Sequence, residues 1–121
     1  MFFNNCNVNI TGANFSHLSN LDSESIKLPS AVTFYNSNVH IENTIFQNNQ
    51  KGDDLLNIYN SKLSIKNTTV RNAYADAIDS DFSQGDIYNV RLIDIGNDGL
   101  DVKLHECLSH IHSNHPFVAN F

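Results

Sequence analysis

The feature that most constrains this chain is a columnar repeat. Ile10, Ile41, Ile65 and Ile87 are separated by 31, 24 and 22 residues. Five positions further on, the same offsets give Phe15, Phe46, Val70 and Leu92, and applied again they give Val32, Leu56, Ile78 and Leu100. Two positions after the last three isoleucines stand Asn43, Asn67 and Asn89. One set of offsets thus places apolar residues in three columns and asparagine in a fourth, the signature of a structural unit repeated along the chain.

Within each unit the pattern alternates. Val32 and Phe34, Leu56 and Ile58, Ile78 and Ser80, and Leu100 and Val102 share one face. Thr33 and Tyr35, Asn57 and Tyr59, Asp79 and Asp81, and Asp101 and Lys103 share the other. A second stretch behaves alike at Val39 and Ile41, Leu63 and Ile65, and Gly85 and Ile87. Period-2 alternation over a few residues marks half-buried strands. Several short strands per unit, with no helical stretch between them, predict coils stacked by parallel pairing, because one coil cannot bury its apolar face alone. The expected fold is all-β: a parallel β-helix of about four coils over residues 1–104, with a longer first unit.

Asn43, Asn67 and Asn89 fall where a strand ends and the chain turns. Asparagine tolerates the left-handed conformation, and amides stacked along the axis bond to one another. As part of such a ladder, Asn67 is expected to be buried. The added length of the first unit lies in Ser16–Pro29, read as a loop projecting from one corner. After Leu104 neither a 22- nor a 24-residue shift restores the columns, so 105–121 is read as an irregular tail holding four of the six histidines. With no amphipathic helix to cap either end, the chain is expected to be a fragment of a longer solenoid, with strand edges open to self-association. Cys6 and Cys107 lie roughly 20 Å apart in this scheme at the usual strand spacing, beyond the reach of a disulfide, and two free thiols are expected.

A formal net charge of -6 with seven Lys and Arg argues against nucleic acid, since phosphate binding needs clustered positive charge. No apolar run approaches the roughly 20 residues of a spanning helix, so no membrane insertion is expected. Met1-Phe2-Phe3 passes at once into Asn-Asn-Cys, without the pattern of a signal peptide. A cation or a neutral polymer suits this composition better. The expected setting is periplasmic, cell-surface or secreted, as part of a longer protein.

Two groups of residues are candidates for chemistry. The columns Ser30, Asp54, Asp76, Asp98 and Thr33, Asn57, Asp79, Asp101 become carboxylate-rich toward the C-terminal coils, with Asp81 nearby. Carboxylates stacked roughly 5 Å apart repel by about 3 kcal/mol at an effective dielectric of 20. A bound cation, a shared proton or a nearby base relieves that cost. Oxygen ligands suit calcium, which makes Asp76, Asp79, Asp98 and Asp101 the candidate metal residues. The same aspartates also serve as turn-formers in the DSD and GND segments. Glycoside hydrolysis needs two carboxyls about 5–9 Å apart, so Asp79, Asp101 and the neighbouring Lys103 are the candidate catalytic residues. Tyr35 and Tyr59 share this face, and with Asp79, Asp81 and Asp101 they form the candidate ligand-binding set: rings for a sugar's apolar side, polar groups for its hydroxyls. β-propensity alone also places tyrosines on sheets. The second group is His105, Cys107, His110, His112 and His115, zinc-ligand types without a diagnostic spacing.

The stretch from Asn36 to Val102, which includes NSKLSIKNTTVRNA and ADAIDSDFSQGDIYNVRLIDIGNDGLDV, resembles the right-handed parallel β-helix repeat proteins of the pectate-lyase-like superfamily. The resemblance covers a little over half of the chain. In the polysaccharide lyases of that superfamily outward aspartates bind calcium and a basic residue abstracts the sugar-ring proton. It therefore implies Asp79, Asp81 and Asp101 for the first role and Lys103 for the second, since Arg71 and Arg91 fall in other columns. Three functions are compatible with it: a carbohydrate-binding or accessory domain, a fragment of a polysaccharide lyase, epimerase or hydrolase, and a structural surface spacer without ligand.

Overall fold

The structure, a computed structural model, describes residues 1–103, 107–108 and 111–113. Strands form where the alternation places them, and no helix occurs among the described residues. In chain order they are β1 (Phe2–Asn4), β2 (Asn7–Thr11), β3 (Asn14–Ser16), β4 (Val32–Tyr35), β5 (Asn38–Glu42), β6 (Ile45–Gln47) and β7 (Asp54–Tyr59). They continue with β8 (Lys62–Ala73), β9 (Asp76–Asp81), β10 (Gln84–Ile95), β11 (Leu100–Lys103), β12 (Cys107–Leu108) and β13 (Ile111–Ser113). A first sheet runs β1-β4-β7-β9-β11 and a second β12-β10-β8-β5-β2, with β3, β6 and β13 joined along the C-terminal halves of β8 and β10. Every pairing between these strands is parallel. Stacked repeat units in parallel sheets are consistent with a β-helix-like solenoid.

The sequence columns are register columns. Ile10 lies opposite Ile41, Ile41 opposite Ile65, and Ile65 opposite Ile87. Phe15, Phe46, Val70 and Leu92 follow the same order, as do Val32, Leu56, Ile78 and Leu100 in the first sheet. Because successive Cβ atoms point to opposite faces, each column lies wholly inside or wholly outside. The inner columns form one core in which Phe34, Ile41, Phe46, Leu56, Ile65, Ile78, Ile87 and Leu100 are fully buried. Each such side chain contributes about 1.5–3 kcal/mol of burial. Like stacks on like: the Phe3 and Phe34 rings are 5.1 Å apart and 11° from parallel, and those of Phe15 and Phe46 are 5.0 Å apart at 10°.

Three corners per unit turn the chain through a left-handed residue. The first column is Asn5, Asn36, Asn60 and Phe82, the second Gly12, Asn43, Asn67 and Asn89, and the third His17, Asn48, Asn72 and Asp94, all at positive φ. Corner N–H groups of the first units are held by the next unit, as in Asn36 N–H to the Tyr59 carbonyl at 3.1 Å and Asn43 N–H to Lys66 at 3.2 Å. The amides also ladder: Asn60 donates to Asn36 at 2.6 Å, Asn72 to Asn48 at 2.8 Å and Asn89 to Asn67 at 2.8 Å. Asn67 is exposed, contrary to the expectation of burial. The left-handed turn directs its amide outward while its neighbour Thr68 turns in, 1% exposed.

Just past the first corner a serine column faces inward. Ser37, Ser61 and Ser83 are buried. Ser61 Oγ accepts the Ser37 N–H at 3.0 Å and donates to the Tyr59 carbonyl at 2.8 Å; Ser83 Oγ accepts the Ser61 N–H at 3.1 Å and donates to Asp81 O at 3.0 Å. One hydroxyl per unit thus satisfies backbone groups that the turn would leave orphaned in the interior.

The Ser16–Pro29 segment forms a small excursion closed by an Asp22–Lys27 antiparallel bridge. Gln50 N–H to Leu18 O (2.9 Å) and Asp53 N–H to Pro29 O (2.7 Å) anchor it to the third corner. In the stretch expected to be irregular, β12 and β13 pair with β10: Leu108 lies opposite Ile87 and Ile111 opposite Val90. That separation is 21 residues, which neither a 22- nor a 24-residue shift finds. Cys6 is a half-buried free thiol. Residues 104–106, 109–110 and 114–121, with His105, His110 and His115, lie outside the described residues, as do the side chains of Lys103, Cys107 and His112.

Gly85 lies opposite Leu63 with φ +147°, and a Cβ on it would stand 1.8 Å from the Leu63 carbonyl oxygen. Gly12, at φ +66°, has nothing within 4 Å of that position. Gly85→Ala is expected to destabilise by about 2–4 kcal/mol, read as a lower urea midpoint at unchanged slope. Gly12→Asn, which extends the asparagine column, should move the midpoint by only a few tenths of a kcal/mol.

Candidate functional site

The outer face of the first sheet presents two register columns. One runs Phe2, Thr33, Asn57, Asp79, Asp101, and the other Asn4, Tyr35, Tyr59, Asp81, Lys103. All the residues expected to bind a ligand therefore lie on one face, on neighbouring strands. Thr33, expected on the open face, is instead buried at 5% exposure between its register neighbours Phe2 and Asn57. Lys103 pairs in register with Asp81.

Stacking brings the tyrosines together. The Tyr35 and Tyr59 rings are 5.3 Å apart and within 9° of parallel, and Phe82 meets Tyr59 edge-on at 5.4 Å and 70°. Tyr35 is 39% and Phe82 55% exposed. The result is a strip of three aromatic rings crossing three strands and ending at the first corner. Phe82 is absent from the set expected from sequence. The same 22-residue offset finds it, as the aromatic that breaks the Asn36, Asn60 column.

The acidic residues divide by position. Asp54 is buried at 2% exposure. It accepts from Ser30 Oγ at 2.7 Å and from Asn57 Nδ2 at 3.4 Å, and Asn57 Nδ2 also donates to Asp79 Oδ2 at 3.1 Å. An amide donor thus sits between two carboxylates of neighbouring strands and draws them into one network. Burial pushes the Asp54 carboxyl up from 3.8 to about 6, opposed by the Ser30 hydrogen bond and reinforced by the charges of Asp53 and Asp76. Asp76 has a different task. Its Oδ1 accepts the Asp98 N–H at 2.9 Å and Asn97 Nδ2 at 2.8 Å, so it caps the turn that leads into the next strand. This is the turn-forming use of aspartate.

A calcium site needs six to eight oxygens converging on one point. Among the described residues no three His, Cys, Asp or Glu side chains are grouped to hold a metal ion. Asp76 Oδ1 is committed to two donors, and the space between Asp54 and Asp79 is taken by the Asn57 amide. The imidazole and thiol cluster of the tail lies outside the described side chains. No helix among the described residues is long and apolar enough to cross a membrane.

No family model, no curated protein and no solved structure matches this chain.

The buried Asp54 yields a pH prediction. Its folded pKa of about 6 lies above the ordinary 3.8, so between these values the folded state binds more protons than the unfolded one. Stability should rise as pH falls from 7 through 6 toward 4, as far as this group is concerned. Asp54→Asn keeps an acceptor for Ser30 and Asn57 and removes the charge. It is expected to stabilise at pH 7 by on the order of 2–3 kcal/mol and to flatten the dependence between pH 4 and 6, as measured by thermal melts across that range.

Proposed function

We propose that the chain is a right-handed parallel β-helix of the pectate-lyase-like kind, and that the outer face of its first sheet binds a polysaccharide without turning it over. The observation that carries this reading is the in-register stack of Tyr35 on Tyr59, continued by Phe82 and bordered by Asn57, Asp79 and Asp81. Aromatic bodies serve the apolar sides of sugar rings, and amides and carboxylates take their hydroxyls. Parallel stacking supplies this pairing of ring and polar group on successive strands about 4.8 Å apart, which suits an extended polymer better than a single small molecule.

A binding role is favoured over turnover by the state of the carboxyls. Asp54, whose proton affinity burial raises, is itself buried and cannot touch a substrate. Asp79 accepts from the Asn57 amide, an arrangement that serves binding, whereas turnover also calls for a base. The lyase reading needs Lys103 as that base. Calcium enters the binding reading only as a bridge from Asp79 and Asp101 to an acidic polymer.

In affinity electrophoresis through gels containing a soluble polysaccharide, Tyr35→Ala/Tyr59→Ala is expected to weaken retardation about tenfold. Unchanged retardation in the double variant sinks the face, and the absence of any retardation of the wild type favours the spacer. Ligand bound only to the folded state raises the melting temperature. At fixed ionic strength calcium should raise it no more than magnesium does, and a saturable calcium-specific rise lost in Asp79→Asn/Asp101→Asn would restore the bridge.

A further inference from the structure

Beside the tyrosine strip, the first corner is hollow. A groove of about 570 Å³ follows it, lined by Asn36, Asn38, Asn60, Lys62, Phe82 and Gln84 among others. A smaller depression of about 250 Å³, lined by Asn5, Asn7, Asn36 and Asn38, continues it along the stacking axis. The larger hollow is within the size range of ligand sites. Together the two hollows follow the corner column Asn5, Asn36, Asn60, Phe82 and the first outer column of the second sheet, Asn7, Asn38, Lys62, Gln84.

Phe82 is the anomaly in this groove. It adopts φ +52°, in a column where Asn5, Asn36 and Asn60 adopt +52°, +49° and +47°. Asparagine takes the left-handed region readily, whereas a bulky aromatic there is a true outlier. The ring gains little burial in return, since it remains 55% exposed. Among the described residues its ring meets the edge of Tyr59 at 5.4 Å. A strained backbone holding a solvent-facing ring at the end of a groove is the kind of local cost that persists at binding sites.

The groove chemistry narrows the ligand. The ladders leave polar ends over: Asn60 donates to Asn36 Oδ1 and Asn38 donates to Asn7 Oδ1, so Asn36 Nδ2, Asn60 Oδ1 and Asn38 Oδ1 are free to meet a ligand. The backbone is not free. Asn36, Asn38, Asn60, Lys62 and Gln84 all donate their N–H groups to neighbouring units at 2.9–3.1 Å, so a peptide cannot add as a strand along the corner. Lys62 is the single charged residue of the lining. Asp81, the last residue of its strand, immediately precedes the lining residue Phe82, and its charge disfavours a polyanion at that end of the groove.

We propose that this corner groove is a subsite for a neutral, linear glycan lying along the stacking axis, with Phe82 as its platform and the Asn36, Asn38, Asn60 and Gln84 amides as its hydrogen-bond partners. It rests on the polysaccharide reading of the adjoining Tyr35–Tyr59 face and adds to it the ligand's neutrality, its direction and a second wall.

The test is affinity electrophoresis of the full chain with hydroxyethylcellulose and with polygalacturonate as probes, alongside thermal melts. Phe82→Asn restores the column's own residue. It is expected to weaken retardation by hydroxyethylcellulose at least fivefold while raising the melting temperature by a few degrees, a pairing that a merely structural Phe82 does not produce. Gln84→Ala, at the exposed rim, gives a second reading without touching the corner, with a smaller loss expected. If Tyr35→Ala/Tyr59→Ala abolishes retardation while Phe82→Asn and Gln84→Ala leave it unchanged, the groove is overturned and the face stands. Retardation by polygalacturonate alone, lost in Lys62→Ala, overturns the neutral class. If neither probe retards the wild type, groove and face fall together.

Discussion

In-register parallel pairing is the constraint on which everything else in this chain depends. It places each residue directly over its counterpart one unit away, so every column must tolerate its own repetition at about 4.8 Å. Apolar columns tolerate it well, as the Phe3–Phe34 and Phe15–Phe46 stacks show. Amides and hydroxyls tolerate it because each is both donor and acceptor, and they become the Asn36–Asn60 and Ser37–Ser61–Ser83 ladders. Carboxylates repel when repeated. In the acidic columns Asp79 lies over Asp101 and Asp54 over Asp76, and hydrogen-bond donors accompany them: Asn57 is interposed between Asp54 and Asp79, and Asp76 caps a turn.

The corners explain how so asparagine-rich a chain reaches one structure. A turn between parallel strands leaves backbone groups facing inward, and burying them unsatisfied costs about as much as a lost hydrogen bond. A left-handed residue followed by an inward hydroxyl solves this at the first corner, and Thr44 and Thr68 repeat the device at the second, each donating to the carbonyl two residues back. Such a device leaves no slack for an uncompensated charge. Asp54, at the entry to β7, is pushed well above its ordinary range by burial, and the Ser30 and Asn57 hydrogen bonds support its charged form. The fold tolerates it while most of its stability comes from the columns.

The fold was legible in the sequence because register and sequence offset are the same quantity in a stacked repeat. Ile41, Ile65 and Ile87 could be aligned by counting, and the parallel pairing follows the count residue for residue. Counting reaches its limit where the unit length changes, and the pairing of Ile87 with Leu108 was hidden by a unit shorter by one residue. The site was legible only by face. Alternation placed Tyr35, Tyr59, Asp79, Asp81 and Asp101 together, yet it carries no information on which polar groups bond sideways, so the Ser30–Asp54–Asn57–Asp79 network was not foreseen. Burial of Thr33 and exposure of Asn67 likewise depend on what covers a column, not on its parity. Phe82 was within reach of the same offsets, and reading the corner column for its exception rather than its rule would have found it.

The net charge of -6 conceals a division between faces. Lys62, Lys66, Arg71 and Arg91, four of the seven cationic residues, are exposed on the second sheet, where Glu42, Asp86 and Asp94 are the strand carboxylates. Asp54, Asp76, Asp79, Asp81 and Asp101 belong to strands of the first. The first corner runs between these two fields, and its wall is amide, hydroxyl and aromatic, with the single charge of Lys62 on the side of the second sheet. A polyanion drawn to the second sheet would have to pass the carboxylates to reach Tyr35 and Tyr59, and a polycation would meet the lysines and arginines on the other side. A neutral polymer feels neither field strongly, and its hydroxyls can exchange water for amides at each step along the stack. The partition of charge and the repetition of amides thus both bear on the proposed neutral glycan, one by what it disfavours and the other by what it offers.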